Sequence, residues 1–74
     1  MNNAKRRLER QALSDQLQKI DEGIRTHLSR AQRSDTHAEA YSHYSTIQEL
    51  ATTALSVVAK IETIDNTPVQ EAML

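Results

Sequence analysis

Turn-forming residues are almost absent from this chain. Its 74 residues include one glycine, Gly23, and one proline, Pro68. Because tight turns depend on these residues, the composition disfavours a fold of many short strands and favours long helices. The chain also lacks cysteine, so no disulfide supports its small core. The sequence therefore predicts an all-α fold.

The first half of the chain has helical periodicity. Apolar residues follow one another at steps of three and four, at Leu13, Leu17, Ile20, Ile24, Leu28 and Ala31. On a helical wheel these positions occupy an arc of roughly 80°. Basic residues before Leu8 would lie near the positive end of the helix dipole, which favours fraying there. A first helix is therefore expected over about residues 8–33.

The second half begins with a capping box, in which Thr36 can cap the amide of Glu39. The predicted seam of this helix alternates steps of four and three along Ala40, Tyr44, Ile47, Ala51, Ala54, Val58 and Ile61. A second row lies beside it at Leu50, Val57 and Ile64, with Leu55 on the opposite shoulder. Together these residues cover an arc of about 180°. A second helix is expected over about residues 37–65, since Pro68 blocks its continuation.

Only residues 33–35 separate the two periodic segments. Such a short connection makes two helices antiparallel neighbours. The prediction is one helical-hairpin domain over residues 1–74, with flexible residues at 1–7 and a loose C-terminal tail at 67–74.

Residues suited to chemistry are scattered. The three histidines, His27, His37 and His43, are spaced by ten and six residues, whereas metal ligands on one helix are favoured at a spacing of four. His43 is expected to be a half-buried, hydrogen-bonded side chain. Gly23 stands alone within a helix, so there is no glycine-rich phosphate loop. We expect no catalytic residues, no metal and no cofactor, and hence no enzyme.

No window of 18 consecutive apolar residues occurs in the sequence, so we expect no membrane span and a cytoplasmic protein.

The two predicted apolar arcs differ in width. A narrow stripe on the first helix cannot cover the wide one on the second. A monomeric hairpin would leave in water a strip containing Leu50, Val57 and Ile64, or Leu55 and Tyr41, for another protein to cover. The partner-binding residues predicted on this basis are Tyr41, Tyr44, Leu50, Leu55, Val57, Ile61 and Ile64. Two occupants remain open at this point: a second copy of the chain, or a groove in a different protein.

The order of these features is similar to that of a known family. The features are an amphipathic first helix containing Leu17 to Leu28, an Ala-x-x-Tyr-x-x-Tyr stretch at residues 38–44, and an Ala-Leu-Ser-Val-Val core at 54–58. Over residues 13–64 the chain resembles the small co-chaperones of type III secretion needle subunits, of the YscE and PscE type. The resemblance implies a cytoplasmic hairpin without enzymatic activity. It also implies binding to a TPR-like chaperone, which together with the co-chaperone keeps the needle subunit soluble until export.

Charge distribution leaves a different interpretation open. Residues 1–33 contain eight basic and four acidic side chains, whereas residues 34–74 contain one basic and six acidic ones. A dimeric regulator could contact the phosphates of a nucleic acid through Arg6, Arg7, Arg10, Lys19 and Arg25. No aromatic residue lies among them for base stacking, and we rank this interpretation second. A small inhibitor protein would use the same apolar face as a co-chaperone.

Overall fold

A computed structural model describes residues 3–66 as two antiparallel helices. Helix α1 spans Asn3–Gln32 and helix α2 spans His37–Asn66. The two helices pack against each other along their length, which confirms the predicted all-α hairpin. The expected C-terminal tail lies outside the described residues.

The turn is closed by backbone and side-chain hydrogen bonds. At the end of α1, the amide of Ser34 donates to the carbonyl of Ala31 and its hydroxyl donates to the carbonyl of Arg30. At the start of α2, the amide of Glu39 donates to Oγ1 of Thr36 at 3.1 Å. This is the N-cap that the capping-box pattern predicts, and it satisfies one of the unpaired amides of the first turn.

Helix α1 begins at Asn3, five residues earlier than the sequence analysis predicts. The reason is a pair of contacts to the end of α2, here called the terminal clamp. Arg6 donates from Nη2 to the carbonyl of Ile64 at 2.6 Å, and Arg10 donates from Nε and Nη2 to the two carboxylate oxygens of Asp65 at 2.7 and 3.2 Å. Because α2 ends beside the start of α1, its negative dipole end offsets the basic residues that were expected to fray.

Removal of the clamp carboxylate should change how stability depends on pH. The hydrogen bonds from Arg10 lower the pKa of the Asp65 carboxyl, and the charges of Arg10 and Arg6 add to this shift. Its contribution to stability is therefore complete above the ordinary carboxyl pKa and is lost as the pH falls through the lowered value. In urea unfolding followed by circular dichroism, Asp65→Asn should weaken the hairpin at neutral pH and flatten this acid-dependent loss.

The clamp side chains are about half exposed, so the effect should be modest and should diminish in high salt. Glu22→Gln is the matched control, because it removes an exposed carboxylate from the middle of α1. Equal acid dependence in Asp65→Asn and the wild-type chain would contradict the clamp.

The helices meet along two rows of side chains, which together form the inner seam. On α1 the row consists of Leu13, Leu17, Ile20, Ile24, His27 and Ala31, all buried or half-buried. On α2 it consists of Ala40, His43, Ile47, Leu50, Ala54, Val57, Ile61 and Ile64, again all buried or half-buried. Both rows alternate steps of three and four, as in a coiled coil.

The predicted orientation of α2 about its own axis is wrong, because a different row of side chains faces α1. Leu50, Val57 and Ile64 were expected to form an outer row that the hairpin leaves in water. They lie instead in the inner seam, and Val57 is the most buried residue of the core at 2% exposure. Tyr44 and Val58, which were expected in the seam, are exposed. On α1 the seam contains His27 in place of the predicted Leu28, which lies at the exposed edge of the seam.

Gly23 helps to set this orientation. A Cβ atom at Gly23 would lie 3.3 Å from Cδ1 of Leu50, so the absence of a side chain leaves room for that leucine. From sequence, a lone helical glycine is equally consistent with the close approach of another backbone and with a tolerated surface position. The structure shows neither: Gly23 is half-buried and its near neighbour is the side chain of Leu50.

The far face of α2 is polar and carries threonines. Thr46, Thr52, Thr53 and Thr63 each donate a hydrogen bond from Oγ1 to the carbonyl four residues earlier. These bonds satisfy the hydroxyl groups on carbonyl oxygens of the preceding helical turn, which are also the acceptors of the helix's own amide bonds. The polar face contrasts sharply with the opposite, apolar flank of the same helix.

Candidate functional site

An apolar stripe runs along α2 beside the inner seam and faces solvent. This outer stripe consists of Tyr41, Tyr44, Gln48, Ala51, Leu55 and Val58. Its large members are exposed by 75% at Tyr41, 49% at Tyr44, 72% at Leu55 and 44% at Val58. The positions alternate steps of three and four, so one helix carries two adjacent rows, each suited to packing on another helix.

The predicted partner-binding residues divide between the two rows. Tyr41, Tyr44 and Leu55 belong to the outer stripe and are accessible. Leu50, Ile61 and Ile64 are half-buried in the inner seam, and Val57 is buried there. The last four residues hold the hairpin together, so the accessible surface is narrower than expected.

Val58 is the functional candidate that the sequence analysis missed. Four residues can belong to a helical seam with either of two neighbouring rows: Ala40, Ile47, Ala54 and Ile61. The predicted seam combined them with the row at 44, 51 and 58, so Val58 was placed there. Side-chain volume is the sequence feature that distinguishes the two rows. The row at residues 50, 57 and 64 contains three large aliphatic side chains, whereas the row at 44, 51 and 58 includes an alanine and a tyrosine with a polar tip.

Two histidines face each other across the inner seam near the turn. Nδ1 of His27 lies 3.0 Å from Nδ1 of His43, and both side chains are half-buried. The ring centroids are 5.2 Å apart and the planes are tilted by 40°, so the rings meet through their nitrogens rather than stack. The expectation that His43 is half-buried and hydrogen-bonded is confirmed. One ring must donate its Nδ1 proton and the other must accept it.

The basic face of α1 is partly engaged by the chain itself. Two of the five side chains proposed for phosphate contacts, Arg6 and Arg10, bind the end of α2 through the terminal clamp. A nucleic acid would have to compete with these contacts. The geometry therefore weakens the interpretation as a nucleic-acid-binding regulator.

Other potential sites in residues 3–66 are limited. An open groove lies between the helices near the clamp and is lined by Glu9, Ala12, Leu13, Lys60, Thr63 and Ile64. In the same residues, no three His, Cys, Asp or Glu side chains are grouped so as to hold a metal ion. Neither described helix is both long and apolar enough to traverse a bilayer.

Comparisons with protein-family models, curated proteins and solved structures find no match to this chain. The resemblance to secretion co-chaperones therefore depends on the helical pattern and the tyrosine and alanine spacing alone.

Proposed function

We propose that this chain is a non-enzymatic protein-binding module that docks through the outer stripe of α2. The observation that carries the proposal is the exposure of Tyr41 and Leu55, two large side chains about three-quarters accessible on one face of one helix. Large exposed apolar side chains grouped on one flank of a small protein are typical of an interaction site. The polar face on the far side of α2 keeps this surface confined to one flank.

The composition of the stripe suits a protein groove. Tyrosine is enriched in protein interfaces because its ring packs against apolar groups while its hydroxyl remains hydrogen-bonded. Anchor residues at steps of three and four are the pattern with which an amphipathic helix occupies a groove. Tyr41, Tyr44, Leu55 and Val58 are the anchors that we assign.

The proposed partner is a TPR-like chaperone, acting in the cytoplasm to keep a secretion needle subunit soluble before export. The resemblance to the needle-subunit co-chaperones supports this choice. TPR arrays stack helix pairs into a concave surface, and such a surface can receive the convex flank of a helical hairpin. In this scheme the hairpin stabilises the chaperone, and the chaperone holds the needle subunit.

Affinity for a purified TPR-like needle-subunit chaperone would test the proposal. Titration calorimetry with the two purified proteins should show binding that changes little with salt, because an apolar stripe carries the contact. Leu55→Asp should weaken binding at least about tenfold by placing a charge at an interface anchor. Ser56→Asp is the matched control, since it adds the same charge one residue along on the polar face.

No binding by the wild-type chain, or equal losses in Leu55→Asp and Ser56→Asp, would refute the proposed function. A gel shift with DNA or RNA that is strong at low salt and lost at moderate salt would instead favour the phosphate-binding interpretation.

A further inference from the structure

The line of the outer stripe continues to a charged or polar residue at each end. One step of four before Tyr41 is His37, and one step of four after Val58 is Glu62, both exposed. Along α2 the extended face therefore has a histidine, two tyrosines, a Gln-Ala centre, two aliphatic residues and a glutamate. Its ends differ in charge, and its halves differ in the shape of their side chains.

This face is complementary to itself when reversed. Two copies of α2 placed antiparallel, with the midpoint between Gln48 and Ala51 on the twofold axis, bring unlike residues opposite each other. The opposed pairs are His37 with Glu62, Tyr41 with Val58, Tyr44 with Leu55, and Gln48 with Ala51, each occurring twice. Each tyrosine ring meets an aliphatic side chain, and at each end an imidazole meets a carboxylate.

We infer that a second copy of this chain covers the outer stripe, through an antiparallel α2–α2 contact with twofold symmetry. The inference uses the surface assigned under the proposed function and gives it a second occupant, with which the chaperone has to compete. A parallel arrangement is disfavoured because it would place two Glu62 carboxylates side by side and two Tyr41 rings against each other.

The thin core of the hairpin makes such a contact useful. Within residues 3–66 only Ile20, Ala31 and Val57 are buried, and each keeps a small exposed fraction. A chain of this size with so few buried side chains is stabilised when a partner removes further apolar surface from water. The proposed contact runs from residue 37 to residue 62, a length of about 38 Å at the rise of an α-helix.

Cysteine cross-linking of the full chain tests the arrangement directly, because the chain has no native cysteine. In the proposed dimer, residue 41 of one copy lies beside residue 58 of the other, whereas the two residues 41 are about 25 Å apart. A disulfide requires Cα atoms within about 7 Å. Mixing Tyr41→Cys with Val58→Cys under mild oxidation should give mainly the mixed disulfide.

The charged ends provide a second test, by sedimentation equilibrium. His37→Glu places two glutamates opposite each other and should weaken the dimer about two- to fivefold, and Glu62→Lys should do the same. The double variant His37→Glu/Glu62→Lys should restore it. An acid at the start of α2 and a base near its end both favour the helix, so a loss of dimer in either single variant is not a loss of fold.

Several outcomes would overturn the inference. These are a wild-type monomer at millimolar concentration, a Tyr41→Cys chain that cross-links to itself as readily as to Val58→Cys, or a double charge variant no better than the single ones. A monomer that still binds the chaperone through Leu55 would refute the pairing and leave the proposed function intact. A dimer with these cross-links that does not bind the chaperone would support the pairing and refute the proposed function.

Discussion

Val57→Asp should unfold the hairpin, whereas Val58→Asp should leave it folded. The two valines are neighbours on α2 and receive the same substitution, so helix propensity and added charge are matched. They differ in environment, since Val57 is enclosed by the inner seam and Val58 faces solvent on the outer stripe.

The expected difference follows from the cost of burying a carboxylate. Asp at position 57 would be desolvated with no buried polar partner beside it, and we expect a loss of about 3 kcal/mol or more. A single core of this size seldom supplies more than about 3–5 kcal/mol, so most of the helical signal should disappear. At position 58 the carboxylate remains in water and should instead reduce association through the outer stripe.

Circular dichroism measures folding and sedimentation measures association for both variants. A folded Val57→Asp chain that merely fails to associate, together with an unfolded Val58→Asp chain, would mean that the inner seam and the outer stripe are interchanged.

Ile20→Ala is expected to have the second largest effect. Ile20 is the buried aliphatic residue at the middle of α1, with 8% of its surface exposed. Its truncation removes apolar contacts and leaves a cavity between the helices, which should lower the free energy of unfolding by about 2–4 kcal/mol. Urea unfolding at neutral pH measures this loss from the transition midpoint, provided that the slope is unchanged.

Leu8→Ala is the control for this variant. Leu8 is on the same helix but is 72% exposed, so its truncation should change stability by no more than about 0.5 kcal/mol. Equal effects of the two substitutions would show that α1 does not present Ile20 to α2.

The sequence was sufficient to predict the helices and their antiparallel arrangement. The periodicity, the Thr36 cap and the short turn are local features, and each acts within a few residues of the chain. The fold class and the approximate helix ends could therefore be derived without knowledge of the tertiary contacts.

The orientation of α2 about its own axis could not be derived in the same way. Its wide apolar arc contains two possible seams that share the residues at 40, 47, 54 and 61. The choice between them depends on what α1 offers across the interface, namely the space at Gly23 and the imidazole of His27. Local periodicity cannot distinguish the seams, which is why Val57 was assigned to the partner surface. Comparison of the side-chain volumes of the two rows would have favoured the correct one.

The early start of α1 likewise depends on a long-range contact. Residues before Leu8 were expected to fray because their charges oppose the dipole of their own helix. The structure places Arg6, together with Arg10, beside the end of α2, 55 residues or more away along the chain. A rule that considers one helix at a time cannot anticipate that arrangement.

The terminal clamp also has a consequence for how the hairpin opens. The free ends of the two helices are the natural place for a hairpin to begin separating, since the turn holds the other end. Arg6 and Arg10 join those free ends, so the first turns of α1 and the last turns of α2 open as one cooperative unit rather than independently. Loss of either arginine should therefore accelerate amide hydrogen exchange on both helices, including on the one that carries no substitution.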